Sequence, residues 1–198
     1  MKITTYELKE MGFSLKFVGK KLMDVSLQPA SRKKLEEYIK NIDSSREKGV
    51  GLYIHSNGNL KQTGKTTLAN IVGVSALIKG YTVQIVSFVE LCDAFFQNER
   101  ATVDLAYQEI IKKEFLVIDD LPTSLVEINK GNHQAFQTAL LFRTRNLLPT
   151  IIVSVLTLSD DRNSGNTCLT IGQFFGDKIY TNIKELFQEI VCFPRTRI

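Results

Sequence analysis

Apolar residues along this chain recur with two different spacings, and the switches between them outline alternating helices and strands. Leu35, Tyr38, Ile39 and Ile42 fall at i, i+3, i+4 and i+7, predicting a helix from about Ser31 with Lys33, Lys34, Glu37 and Lys40 on its solvated side. Ser44, Ser45 and Gly49 are expected to end it. The short apolar run Gly51–Ser56, followed by Asn57-Gly58-Asn59, reads as a buried strand entering a loop. Gly64-Lys65-Thr66-Thr67 opens a helix to about Lys79. Its apolar residues, Leu68, Ile71, Val72 and Leu77 among them, lie on most sides, as in a helix that is largely buried. Gly80 ends it, and Tyr81 to Val86 is a second strand.

The second half continues the alternation. Ser87 and Glu90 have capping-box spacing, and Phe88, Leu91, Cys92 and Phe95 extend an amphipathic helix from there. Thr102 to Lys113 is a further helix. Phe115–Asp119 is a strand without polar interruption until its last residue, as expected in a parallel sheet covered on both faces. Then come a helix over Asn132–Arg145, a strand over Thr150–Ser154, a helix near Thr181–Phe187 and a short strand over Glu189–Phe193. This order predicts an α/β fold: a three-layer parallel sheet with helices on both faces and right-handed crossovers. Residues 1–30, interrupted by Gly12, Gly19 and Pro29, read as an N-terminal extension and a candidate partner-binding segment. Residues 31–198 read as one domain.

Composition narrows the function classes. A chain of 198 residues with 43% hydrophobic content suits one α/β domain with a real core. No apolar run reaches the roughly 18–20 residues of a membrane span, and the N-terminus lacks a signal-peptide core. The net charge of +4 is compatible with nucleic acid without demanding it. Cys92, Cys168 and Cys192 are too scattered for a disulfide framework or a zinc site, which suggests a cytoplasmic protein. Cys92 and Cys192 sit in apolar runs and read as buried thiols.

Gly64-Lys65-Thr66, between a buried strand and a helix, stands where a phosphate-binding loop belongs. Backbone N–H groups at a helix N-terminus lack intrahelical partners, so anionic oxygens can take that place. Lys65 is expected to reach the β- and γ-phosphates, and the Thr66 hydroxyl to ligate Mg²⁺. Gly58, Asn59, Gln62, Thr63, Gly64 and Thr67 complete the predicted ATP-binding loop. The spacing departs from the usual motif: Asn59 stands where the first glycine is expected, and Gln62 replaces an internal glycine. Either Asn59 substitutes, since Asn tolerates left-handed backbone, or the loop is expanded by one residue and uses Gly58.

About 55 residues later, Asp119 and Asp120 close an apolar strand. Ligands in open α/β sheets bind at such strand ends. Asp119 is expected to hold Mg²⁺ through water beside Thr66, and Asp120 to polarise the attacking water as a catalytic residue together with Lys65.

With both motifs present, the chain from about Leu22 onward resembles the AAA+ helicase-loader ATPases of the DnaC/DnaI type, a family shared with the IstB transposition proteins. The resemblance rests on Gly51-Leu52-Tyr53-Ile54, Gly64-Lys65-Thr66-Thr67-Leu68-Ala69, Phe115 to Leu121, and Leu148-Pro149-Thr150-Ile151-Ile152-Val153-Ser154. It implies an AAA+ P-loop fold, here without a separate lid domain, and an ATPase using ATP and Mg²⁺. It also implies self-association in the ATP state, a replicative DNA helicase of the DnaB type as partner, and single-stranded DNA contact. The departures lie at catalytic positions. The family's sensor asparagine falls on Val155, and its arginine finger on Asn182, with Lys178 nearby. The loss of a finger is worth ~10³–10⁵ in rate in related phosphoryl transfer. Hydrolysis is therefore expected to be slow or partner-stimulated. Arg197 in Arg195-Thr196-Arg197 is a weak match to the family's terminal nucleotide-contacting arginine.

The weaker signals have ordinary readings. His55 reads as a strand-end histidine satisfied by backbone, and His133 as a lone exposed histidine without a partner. Arg143 and Arg145 suit a helix C-terminus, with DNA or a neighbouring subunit's nucleotide as the alternative. Three functions compete: a loader or remodelling ATPase in DNA replication; a degenerate nucleotide-binding adaptor with little hydrolysis, for which Val155 and Asn182 speak; and a small-molecule kinase. The kinase fares worst, because no arginine-rich lid follows the loop and the second Asp suits water activation better than transfer to an acceptor.

Overall fold

The structure is a computed structural model that describes residues 4–56, 63–100, 105–122, 130–158 and 170–192. Five strands, β1 (Gly51–Ser56), β2 (Val83–Ser87), β3 (Phe115–Asp119), β4 (Thr150–Val153) and β5 (Phe187–Cys192), form one sheet in the order β2-β3-β4-β1-β5. Every pairing is parallel. The described helices are α1 (Thr5–Glu10), α2 (Pro29–Lys40), α3 (Ile42–Lys48), α4 (Lys65–Ile78), α5 (Phe88–Arg100), α6 (Leu105–Lys112), α7 (Lys130–Arg145), α8 (Ile171–Phe175) and α9 (Asp177–Leu186).

Alternation along the strands builds two cores. Leu52, Ile54, Val117 and Ile151 point to one face, where they meet Leu35 and Tyr38 of α2, Ile42 of α3, and Leu68, Val72 and Ala76 of α4. Tyr53, Leu116, Ile118 and Ile152 point to the other, against Phe88 and Leu91 of α5, Phe136 and Leu140 of α7, and Phe175, Ile179 and Ile183 of α8 and α9. Because side chains of a strand alternate with period two, an all-apolar strand serves both faces at once.

The expected order of strands and helices is present, with refinements. The first helix is two: α2 begins with Pro29 in its first turn, and α3 runs through Ser44 and Ser45 to end at Gly49. Helix α8 was not anticipated. Its Thr170–Gln173 capping box and its buried Ile171, Phe174 and Phe175 make a single apolar turn. The final helix starts earlier than expected, at Asp177.

The segment before α2 is a strap over the α4 side of the sheet. Helix α1 is capped reciprocally by Thr4 and Glu7. The Met11 carbonyl then accepts the Ile85 N–H of β2. Phe13 lies against Gly73 of α4, where an added methyl group would come within 3.1 Å of the ring. Val25 lies against Gly64 at the start of the same helix, and Leu27 bridges to Cys192 of β5. Phe13 and Val25 are buried as members of the α4-side core. The strap thus runs from one outer strand to the other, packing on two glycines of α4 where small size permits close approach.

Candidate functional site

Strand β1 ends at the buried Ser56, and α4 begins at Lys65. The predicted Gly58, Asn59 and Gln62 lie outside the described residues, as does Arg197. Gly64 is the N-cap of α4 at φ +86°, a left-handed conformation that a side chain would strain. It offers no capping side chain, so the first-turn N–H groups of this 14-residue helix end where an anion can complete them. Asn70 braces that turn from within, its Nδ2 donating to the Thr66 carbonyl at 2.8 Å.

Three of the predicted groups converge. The Lys65 ammonium donates to Ser56 Oγ at 3.0 Å and to Thr63 Oγ1 at 3.1 Å. Burial pulls its pKa down, and the neighbouring Asp119 and Asp120 carboxylates pull it back up. The Thr66 hydroxyl lies close enough to the Asp119 carboxyl to stabilise its charged form. Burial pushes the Asp119 carboxyl up, against the Thr66 hydroxyl and the Asp120 amide, which donates to its Oδ1 at 2.8 Å. A half-buried carboxylate in that state gains from a nearby cation. Asp120 is exposed and sits at φ +58°, just past β3. An ammonium, a hydroxyl beside a half-buried carboxylate and an open helix N-terminus together make a donor set that fits a Mg²⁺-bound polyphosphate.

Strand β4 lies between β1 and β3, so its end faces the same site. Ser154 is buried there; its N–H donates to the Ile54 carbonyl, and its Oγ accepts from Leu156 N–H. Val155 follows, half-buried and apolar. Asn182 is half-buried on α9, and Lys178 is exposed on that helix. Beside Thr63, Gly64 and Thr67 the strap borders an open hollow of about 450 Å³, lined also by Lys16, Phe17 and Lys20.

Solved structures share this architecture, although no family model and no curated protein matches the sequence. The DnaC helicase loader aligns with a TM-score of 0.72 at 18% identity, over 91% of this chain and 100% of that one. DnaI aligns with a TM-score of 0.65 at 22% identity, over 91% and 95%. The replication initiator DnaA, bound to AMPPCP and single-stranded DNA, aligns with a TM-score of 0.59 at 16% identity, over 83% of this chain and 46% of that one. The fold is AAA+.

Within this fold the weaker sequence signals resolve differently from expectation. His55 is buried, and its partner is a carboxylate rather than backbone: Nε2 lies 2.7 Å from Glu189 Oε1 on β5. His133 is neither exposed nor alone, because its Nε2 bonds the Phe175 carbonyl at 2.9 Å and its ring stacks on Phe175. Arg143 is buried and structural. Its guanidinium donates to the carbonyls of Ile111, Lys113, Glu114 and Pro149 and to Thr150 Oγ1. Arg145 is exposed. Cys92 and Cys192 are buried free thiols, each pushed up to about 12 by burial. Among the described residues there is no cluster of His, Cys, Asp and Glu suited to a further metal, and no helix is long and apolar enough to cross a membrane. Sequence reasoning missed Ser56, which it took as a strand end, and Val25. Neither contact has a local signal, since the partners are brought in by the fold.

Proposed function

We propose that this chain is an ATP-binding AAA+ protein of the cytoplasm that acts as a replicative-helicase loader or remodelling ATPase in DNA replication. The observation that carries the reading is the meeting of Lys65, Thr66 and Asp119 at the N-terminus of α4. The alignment to DnaC over the full length of that chain supports the loader assignment. The AMPPCP-bound DnaA supports the nucleotide.

In this reading the N–H groups opening α4 bind the phosphates, joined by the loop residues Gly58, Asn59, Gln62, Thr63, Gly64 and Thr67. Lys65 holds the β- and γ-oxygens by charge, and Thr66 and Asp119 hold the metal. Mg²⁺–ATP supplies the electrophilic γ-phosphoryl group and the charge that the site neutralises. Asp120, exposed just past β3, orients and polarises water. The hollow under the strap takes the base and ribose, with Lys16 and Lys20 at its rim. Arg197 is the nucleotide-contacting arginine of this reading.

Turnover in the isolated chain is slow, because Val155 cannot hydrogen-bond at the end of β4 and Asn182 cannot act as an arginine finger. The protein self-associates in its ATP state, engages a DnaB-type helicase and contacts single-stranded DNA, with residues 1–30 as a partner-binding segment. The same two residues favour a second reading: a nucleotide-dependent adaptor, of transposition or helicase-binding type, that barely hydrolyses. Capture of the host's replicative helicase, with and without ATP, tests the partner. ATP turnover raised by helicase or DNA supports the ATPase, whereas binding without turnover in their presence supports the adaptor. A Lys65→Ala variant that keeps full nucleotide affinity refutes the site.

A further inference from the structure

We infer that Ser56 is a positioning residue for Lys65: its hydroxyl, with that of Thr63, aims the ammonium at the phosphates before nucleotide arrives. This rests on the nucleotide site proposed above.

The geometry is specific. Ser56 is fully buried at the last position of β1, and its Oγ accepts from Lys65 Nζ at 3.0 Å. Thr63, also buried, accepts at 3.1 Å from the start of the helix. One acceptor belongs to the sheet and the other to the loop end, so together they tie the flexible four-carbon stem to both sides of the phosphate loop. Beside Ser56 in register stands Cys192, whose thiol burial keeps protonated and neutral. A carboxylate in place of Ser56 would cancel the charge that phosphate needs and would have to be displaced. A hydroxyl accepts a proton donor without cancelling that charge. A lysine side chain is rich in rotamer entropy, and a stem already held in place loses less of it on binding.

Two measurements on the full chain test this. The first is the affinity for a fluorescent ATP analogue with Mg²⁺. Ser56→Ala is expected to weaken it about 10-fold, the size of one hydrogen bond to a charged group, and Ser56→Thr to restore it. The second needs no nucleotide: the rate at which an amine-acylating reagent labels Lys65, read by peptide mass. That rate is expected to rise severalfold in Ser56→Ala and to stay at the wild-type level in Ser56→Thr. Should Ser56→Ala not fold, Ser56→Cys, close in size and a poor acceptor, takes its place with the same expectations. Labelling of Lys65 unchanged by loss of the hydroxyl overturns the inference, as does an undiminished ATP affinity, or a loss that threonine fails to restore. If the wild type binds no ATP, the nucleotide reading falls, and the labelling rate alone decides whether Ser56 holds Lys65.

Discussion

Replacing Arg143 by methionine should cost stability and leave the proposed nucleotide site intact. The guanidinium is 1% exposed and donates to five acceptors at 2.6–3.3 Å: the carbonyls of Ile111, Lys113, Glu114 and Pro149, and Thr150 Oγ1. These acceptors come from the end of α6, the turn into β3 and the start of β4, so one side chain ties together three pieces of chain. Burial and the nearby Arg46 lower its proton affinity, yet a guanidinium with this many acceptors stays charged at neutral pH. Methionine fills much of the volume and donates nothing. The bonds to Lys113 and Glu114 are only partly buried, and water can replace them. Those to Ile111, Pro149 and Thr150 are buried; the Pro149 carbonyl keeps the Leu116 N–H, whereas the Ile111 carbonyl and the Thr150 hydroxyl lose their buried partner at about 1–3 kcal/mol each. Relief from burying the charge offsets part of this, leaving a net loss of about 3 kcal/mol. For a domain of this size that lowers Tm by roughly 6–12 °C. Thermal and urea unfolding read the loss, and ATP titration well below the transition should give the wild-type affinity. A Tm drop under about 2 °C, accompanied by weakened nucleotide or DNA binding, would refute the reasoning and return Arg143 to a ligand-binding role.

Two further outcomes follow from the same contacts. Gly64→Ala combines strain at φ +86°, about 1–2 kcal/mol, with a methyl group 2.6 Å from Val25 Cγ1; Tm and nucleotide affinity should both fall. Adding Val25→Ala should recover part of the Tm loss, and no recovery would mean that the strap does not bear on the loop as described. The hydrogen bond with His55 holds the Glu189 carboxyl below its ordinary value of 4.5. A group with a depressed folded pKa stabilises above the unfolded value and loses that contribution as pH falls through the folded one. In urea unfolding across acid pH, the stability advantage of wild type over Glu189→Gln should therefore be constant near neutrality and shrink below 4.5. An advantage that grows toward acid would contradict the assignment.

Strands and helix α4 were legible because their signals are local. Phe115–Asp119 is apolar until the residue that leaves the core, and the Ser87–Glu90 capping box forms as spaced, with bonds of 2.7 and 3.2 Å. Lys65, Thr66 and Asp119 could be named because motif chemistry fixes their place at a helix start and a strand end. What stayed hidden depends on distant segments. Arg143 looked like a cation at a helix terminus, but its partners lie up to 32 residues away in sequence. The five residues of α8 are too few to display a helical period. His55 meets Glu189 only because β5 pairs with β1. The strap has no regular pattern for most of its length, since its role is to touch α4 at Phe13 and Val25.

That strap also bears on how the molecule stays apart from its neighbours. A parallel sheet leaves two rows of backbone groups open at its margins, each a template for another chain. Here the Met11 carbonyl takes the Ile85 N–H on one margin, and on the other Ser31 takes the Val191 N–H while Leu27 pairs with Cys192. A fragment starting at residue 31 would therefore keep every strand yet lose the covers at Met11 and Leu27, and strand addition between copies would become its route to aggregation.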